Sequence, residues 1–281
     1  MTTATITFIG GGNMARSLIG GLVQKGFAPA AIRVSEPLAE ARDALAADFG
    51  ITVFSDNESA CSGADLVVLA VKPQVMQTVA SALAPALSHR PVVVSIAAGI
   101  PVAALQQWLG ADTPIVRCMP NTPALVHQGA SALHASALVS AEQKTLAQQV
   151  FSAVGLVVWL ESETEIDAVT ALSGSGPAYF FLLMEAMQSA GEALGLSAAT
   201  AQQLTLQTAL GAATMAAHSD VDPGELRRRV TSPAGTTEKA IDTFMAGDLP
   251  ALVAQAMAAA RDRAQEMAGE LSATAPLKEG A

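Results

Sequence analysis

The stretch Ile6-Thr7-Phe8-Ile9-Gly10-Gly11-Gly12-Asn13-Met14-Ala15 decides the fold. A β-rich run over Ala4–Ile9 ends in three glycines. A helical pattern, Met14–Lys25, opens directly after them and stops at Gly26. The spelling Gly10-x-Gly12-x-x-Ala15 fits the strand–turn–helix corner of a dinucleotide-binding βαβ unit. Gly10 permits the tight turn, Gly12 lets the backbone approach a pyrophosphate, and Ala15 keeps the helix close to the sheet. The pyrophosphate would rest on unpaired N–H groups at the helix start. Gly10, Gly11, Gly12, Asn13 and Met14 are therefore candidate nucleotide-binding residues. A glycine-rich turn with no ligand has the same spelling, so the chain beyond it must be weighed.

Beyond it, strands and helices alternate. Strands are expected at 31–35, 51–54, 66–71, 92–96, 114–118, 130–133 and 156–160, with helical segments at 38–49, 57–61, 102–109 and 142–153. Leu66–Val71 is almost continuously apolar, as a strand covered on both faces should be. This alternation predicts βαβ units and a mainly parallel sheet. Near Glu161 it stops, and helical patterns fill the rest. The expected division is 1–160, an α/β domain, and 161–281, an all-helical domain. In the second half a helix from Glu163 toward Leu172 is interrupted by Ser173-Gly174-Ser175-Gly176. Pro177 then suits the first position of a helix ending near Gly195. Ser197 caps a long charge-free helix, and Asp222-Pro223-Gly224-Glu225 reads as a capping box with Pro at the first position. The turn 232–237 precedes a helix to Met245, the last helix spans 249–271, and the tail from Ser272 is expected to be loose.

Composition narrows the function classes. The chain has 281 residues, 51% hydrophobic and only 14% charged, which excludes an intrinsically disordered protein. A net charge of −10 opposes a nucleic-acid partner, although it leaves room for a local anion site built from backbone N–H groups. Cys61 and Cys118 have no ligand spacing and read as structural thiols in a reducing compartment. The four histidines show no metal-site pattern, so no metal is expected. The charge-free stretch 193–217 is long enough to span a membrane. It carries Gln202, Gln203, Gln207 and four threonines, so burial against protein is the better explanation. With no basic-then-apolar signal at the N-terminus, a soluble cytoplasmic protein without membrane contact is expected.

Further candidates sit at strand ends, which face the ligand crevice of a parallel sheet. The second strand ends Val34-Ser35-Glu36. A Ser35 hydroxyl at the tip tolerates a 2′-phosphate better than a carboxylate does, so NADPH is the expected cofactor and NADH the alternative. A one-residue change of register puts Glu36 at the tip and reverses the argument. Asn57 either contacts the adenosine side or caps its short turn. Ala70, Val71, Lys72 and Pro73 end the fourth strand. Ala98, in Ser95-Ile96-Ala97-Ala98-Gly99, leaves room for a flat nicotinamide ring. Asn121, in Pro120-Asn121-Thr122-Pro123, either orients the carboxamide or makes a turn. In the helical half, Ser173–Tyr179 and Val230–Glu238 each break an apolar stretch near a helix start. Free N–H groups and hydroxyls there would suit a small carboxylate substrate.

At these residues the chain resembles the pyrroline-5-carboxylate reductase family. The matching segments are FIGGGNMA (8–15), ADLVVLAVKPQVM (64–76), SIAAGI (95–100), RCMPNTPALVHQGASAL (117–133), DAVTALSGSGPAYFFLLMEAM (167–187) and LRRRVTSPAGTTEKAI (226–241), in family order over nearly the whole chain. The resemblance implies an α/β fold with an N-terminal Rossmann NAD(P)-binding domain and an all-α C-terminal dimerisation and substrate-binding domain. It implies reduction of 1-pyrroline-5-carboxylate to L-proline, the last step of proline biosynthesis. It also implies a homodimer, and beyond it a decamer of dimers, with each active site combining the nucleotide domain of one chain and helices of its neighbour. By the same resemblance Thr237 is the donor to the imine nitrogen. Ser232, Gly235 and Thr236 hold the substrate carboxylate, and Ser175 and Gly176 line the opposite wall. Asp220 stands where some members carry an acid proposed to help proton supply. Arg227–Arg229 read better as a salt-bridged solvent face. The family more often has Gly at the position of Ala234, so a positive φ there would strain the loop.

Two other readings compete. A β-hydroxyacid dehydrogenase has a similar plan but places a catalytic lysine early in its helical domain, and no lysine occurs in this chain between Lys144 and Lys239. A non-catalytic nucleotide-binding regulator would need the 10–15 loop but not the 232–237 turn.

Overall fold

A computed structural model describes residues 4–273. Its centre is one eight-stranded sheet in the order β3-β2-β1-β4-β5-β6-β7-β8. The strands are β1 (Ile6–Ile9), β2 (Ile32–Ser35), β3 (Thr52–Phe54), β4 (Leu66–Leu69), β5 (Val92–Ser95), β6 (Ile115–Met119), β7 (Gly129–Ala135) and β8 (Gly155–Trp159). Neighbours from β3 through β6 pair in parallel, β7 runs antiparallel to β6, and β8 is parallel to β7. The mainly parallel sheet is thus as expected. The reversal at β7 is not visible in strand periodicity, because a parallel and an antiparallel buried strand look alike in sequence.

The helices of this part are α1 (Asn13–Gln24), α2 (Ala39–Phe49), α3 (Asn57–Cys61), α4 (Pro73–Leu83), α5 (Val102–Leu109) and α6 (Ala141–Ser152). Helix α4 was not among the expected elements. Its apolar positions Met76, Ala80 and Leu83 recur at helical spacing and are buried, and Pro73 occupies its first position. The strands β1, β4 and β5 are buried at every residue, because helices cover both faces of the sheet. Alternate residues of β4 feed two separate cores: Leu66 and Val68 pack with Phe8, Leu18 and Phe151 on one face, and Val67 and Leu69 with Met76, Leu83 and Leu105 on the other. Register brings the carboxyl ends level, since Ile9 pairs with Ser35 and Leu69, Leu69 with Ser95, and Ser95 with Arg117.

Beyond β8 come α7 (Glu165–Val169), α8 (Gly176–Ala193), α9 (Ala198–Ala217), α10 (Pro223–Arg229), α11 (Thr236–Ala246) and α12 (Leu249–Ala273). The structure corrects the expected interruption at Ser173–Gly176: helical backbone continues from Glu165 to Ala193. A π turn over Thr170–Gly174 joins α7 to α8, and the Ser175 N–H donates to Thr170 O at 2.8 Å, five residues back. Gly174 lies inside this π turn, and a Cβ there would stand 2.6 Å from Met119 Cε, the mobile end of a flexible side chain. By length and composition, this is the one helix among the described residues able to cross a membrane. The Ser197 cap forms, its hydroxyl accepting from Thr200 N–H at 3.2 Å; of the capping box expected at Asp222 one half forms, its carboxylate accepting from Glu225 N–H at 2.9 Å. Glu225 in turn binds Arg228 and Arg229 at 2.9 and 3.0 Å, the salt-bridged face expected of that arginine run. The loose tail expected from Ser272 lies largely outside the described residues, and α12 includes Ser272 and Ala273.

The chain divides into two compact units. One runs through Ser175 and takes up the chain again from Ala260, and the other is Gly176–Ala259. The first unit therefore reaches past residue 160. An ion cluster ties part of this stretch to the sheet. Arg117 of β6, 5% exposed, donates from Nη1 to Glu163 Oε1 at 3.0 Å and lies 3.8 Å from Asp167 Oδ1. Glu163 Oε1 also accepts the Val102 N–H at the start of α5, at 2.8 Å. Within the second unit α8 packs on α9, where Gly191 lies against Ala201. Large apolar side chains of this unit stay exposed, among them Phe180, Phe181, Leu204, Leu210 and Leu252.

Candidate functional site

A cavity of about 690 Å³ opens where the strand order reverses, between the ends of β1 and β4. Ligands of open α/β sheets bind at such a switch point, and this volume is in the range of cofactor pockets. Its wall contains Gly10, Gly11, Gly12, Ser35, Asn57, Ala70, Val71 and Lys72, eight of the residues singled out in the sequence. Gly10 has φ +98, and a Cβ on it would stand 2.8 Å from Ala70 O, so only glycine brings these two strand ends together. Gly12 is the N-cap of α1, carries no side-chain cap, and has no atom within 4 Å of where a Cβ would be. The first-turn N–H groups of α1, including those of Asn13 and Met14, have no partner within the helix and stand at its positive end. These residues fit a nucleotide pyrophosphate.

The adenosine side holds both Ser35 and Glu36. Ser35 is the last residue of β2, but its side chain is 2% exposed and its hydroxyl pairs with Asn57 Oδ1 at 2.7 Å. The carboxylate of Glu36 is what meets the glycine loop: Oε2 accepts the Gly11 N–H at 3.0 Å and Oε1 the Leu38 N–H at 3.1 Å. Asp56 and Glu58 also line this end. The Ser59 N–H at 2.8 Å holds the Asp56 carboxyl below the usual carboxylate range. The signal for Glu36 was its place immediately after a strand end, which becomes decisive only once the register is known.

The remaining candidates stand elsewhere. Pro73 opens α4 beside Lys72, and Ala98 follows β5 in a half-buried turn. Asn121 is 9% exposed and works as a brace, its Nδ2 donating to Ser173 O at 3.0 Å and its Oδ1 accepting Ala130 N–H at 2.8 Å. Cys61 and Cys118 are free and buried. Desolvation pushes the Cys61 thiol up to about 12 and Cys118 well above the ordinary range. No group of three or more metal-ligating side chains occurs among the described residues.

In the second unit, Ser232–Thr237 forms the entry to α11. Gly235 is its N-cap with no side-chain cap, so Thr236 and Thr237 occupy the first turn. Ala234 has φ +57, the left-handed conformation expected to strain this loop. Glu238 reaches back to accept the Ala234 N–H at 2.7 Å, and Gly235 N–H donates to Ser232 O at 3.0 Å. The turn is therefore held in shape, and the N–H groups of the first helical turn have no partner within the helix. Asp220 is exposed in the link before α10. Of the other pair, Ser175 has its N–H spent in the π turn and Gly176 is buried at the start of α8.

The chain is similar to known proteins along both its halves. Residues 163–267 match the family model described as pyrroline-5-carboxylate reductase dimerisation, and residues 5–99 match that of NADP oxidoreductase coenzyme F420-dependent. The pyrroline-5-carboxylate reductase of Pseudomonas aeruginosa is 60% identical over 96% of this chain and 99% of its own length. Among solved structures, a pyrroline-5-carboxylate reductase from Coxiella burnetii superposes with a TM-score of 0.92 at 46% identity, covering 95% of this chain and 99% of its own. The Plasmodium falciparum pyrroline carboxylate reductase with NADP bound gives 0.84 at 28% identity, covering 95% and 99%. A glycine cradle at the switch point and likeness along almost the full length lead to one assignment: the chain is an NAD(P)H-dependent oxidoreductase and belongs to the pyrroline-5-carboxylate reductase family.

Proposed function

We propose that this chain reduces the C=N bond of 1-pyrroline-5-carboxylate to give L-proline, closing proline biosynthesis. The observation that carries the reading is the switch-point cavity lined by Gly10, Gly11 and Gly12, the last of them the N-cap of α1. Gly10, Gly12, Asn13 and Met14 hold the pyrophosphate, and Ala70, Val71, Lys72 and Pro73 form the facing wall, with Ala98 and Asn121 toward the nicotinamide side. When bound, the reduced nicotinamide supplies a hydride to the imine carbon. The chain's own residues bind, orient and polarise. Thr236 and Gly235, with Ser232 before them, offer N–H and hydroxyl donors to the substrate carboxylate at the positive end of α11. Ser175 and Gly176 belong to the opposite wall. The Thr237 hydroxyl donates to the imine nitrogen. A threonine hydroxyl has no pKa near neutrality, so Thr237 polarises the imine and the proton reaches nitrogen from solvent. Asp220 is at most an aid to that supply.

The domain assignment belongs to the same proposal: 1–160 binds the nucleotide, and 161–281 dimerises and binds substrate. Its support is the dimerisation match, which begins at residue 163. The working form is a homodimer or a decamer of dimers. The exposed Phe180, Phe181, Leu204 and Leu210 support it as apolar area for a second copy to cover. The protein is cytoplasmic, with no membrane and no nucleic-acid partner, in keeping with its −10 net charge. The test follows nicotinamide absorbance with 1-pyrroline-5-carboxylate and identifies proline as product, for wild type and Thr237→Ala. We expect turnover by wild type and a loss of about a hundredfold or more in kcat/KM for the variant, with nucleotide binding retained. Unchanged turnover in the variant would mean that Thr237 does not polarise the imine.

A further inference from the structure

We infer that the adenosine end of the cavity selects NADH over NADPH and that Glu36 is the residue that makes the choice. The inference rests on the nucleotide placement proposed above. Register sets the geometry. Ser35 is the last paired residue of β2, level with Ile9 and Phe54, so the chain leaves the sheet at Glu36. The hydroxyl that would have met a 2′-phosphate is buried against Asn57. The carboxylate of Glu36 is instead pinned at the glycine loop by two N–H donors, Gly11 and Leu38. Gly11 is part of the device. A Cβ there would stand 2.6 Å from Leu45 Cδ1 and 3.3 Å from Glu36 Oε2, so only glycine lets the carboxylate come this close.

Chemistry then discriminates. An ionised carboxylate only accepts hydrogen bonds, and each oxygen of Glu36 retains lone-pair capacity beyond its one N–H partner. The 2′- and 3′-hydroxyls of a ribose are donors and match it. A 2′-phosphate is an acceptor of like charge and does not. The surroundings deepen the bias, since the cavity lining holds Glu36, Asp56 and Glu58 against a single cation, Lys72. Neither nearby arginine lines the cavity: Arg33 turns Nη1 to Ser62 O at 2.6 Å, and Arg42 spends Nη1 on the carbonyl oxygens of Glu36 and Pro37, at 2.7 Å each. No arginine fork thus faces the extra phosphate from the wall, and Lys72 is the one counter-charge there. The Plasmodium falciparum relative with NADP bound indicates that the fold itself does not forbid the phosphate. Selection then lies in these side chains.

The test compares kcat/KM for NADH and NADPH in wild type, Glu36→Gln and Glu58→Gln. In parallel, ADP-ribose and 2′-phospho-ADP-ribose are titrated calorimetrically into each full-length protein. We expect wild type to favour NADH and to bind ADP-ribose more tightly, by about tenfold in each case. Glu36→Gln should narrow both ratios by about tenfold, chiefly through the KM for NADPH, and the rim variant Glu58→Gln by about twofold to threefold. Equal or better use of NADPH by wild type overturns the inference, as does a Glu36→Gln ratio equal to wild type. If neither cofactor supports turnover, the proposed reaction fails, and the two ADP-ribose titrations still decide the inference. If Glu36→Gln does not fold, the wild-type ratios and Glu58→Gln decide it.

Discussion

Replacing Glu163 by Gln removes one charge from the buried ion cluster at Arg117 while nearly preserving shape. The Arg117 side chain is 6% exposed, its partners Glu163 and Asp167 are 27% and 17% exposed, and its Nε has no hydrogen-bond partner. With an effective dielectric of about 20, an ion pair at 3.0 Å attracts by about 5 kcal/mol and one at 3.8 Å by about 4 kcal/mol. Desolvation of the guanidinium offsets much of this, and Asp167 remains to face it after the substitution. The glutamine keeps an acceptor for the Val102 N–H and for Nη1, so only the charge is lost. The expected cost is about 2–3 kcal/mol. Arg117→Met combined with Glu163→Gln should cost less than the sum of the two single changes, with a coupling of about 2 kcal/mol, because the double variant leaves no unpaired buried cation. Urea unfolding of the full chain at one fixed protein concentration measures this, since association shifts apparent stability. A cost below about 0.5 kcal/mol for Glu163→Gln, or additivity within that margin, would refute the claim that the pair anchors residues 163–175 to the sheet.

Two further outcomes follow from local geometry. Ala234→Gly should stabilise the protein by about 1 kcal/mol, because relief of a left-handed alanine exceeds the added entropy of the unfolded chain; a lowered urea midpoint would contradict the strain at φ +57. Burial raises both cysteine pKa values, Cys61 to about 12, so both thiols stay neutral at pH 8. A thiol reagent should then label neither in the native protein and both after unfolding; fast native labelling would contradict their burial.

What the sequence disclosed was whatever depends on neighbours along the chain. The Gly10–Gly12 corner, the caps at Ser197 and Asp222 and the Glu225–arginine face are encoded within five residues each, and all appear in the structure. What it withheld depends on partners far away. Ser35 and Glu36 exchange roles according to pairing with β1 and β3, which a single strand cannot reveal. Gly174 spells a turn, but it lies within continuous helical backbone beside Met119, at the end of a strand far earlier in the chain. Asn121 reads from sequence as a carboxamide contact or a turn residue, and its bonds to Ser173 and Ala130 come from segments that local spelling does not show. Arg117 gave no sign of its burial, because a cation inside a strand is only tolerable with carboxylates that arrive from beyond β8.

The π turn at Thr170–Gly174 has a consequence for azimuth. An α-helix advances about 100° per residue, so one surplus residue in the ladder rotates everything after it by that angle. The bulge therefore acts as a phase setting for α8: it fixes which compass bearing Phe180, Phe181 and Leu183 take about the helix axis. Excising a single residue there would leave a regular, well-bonded helix whose apolar side chains all point roughly a quarter-turn or more away from their present direction. A chain that loses so little mass would keep its helix content and lose its facing.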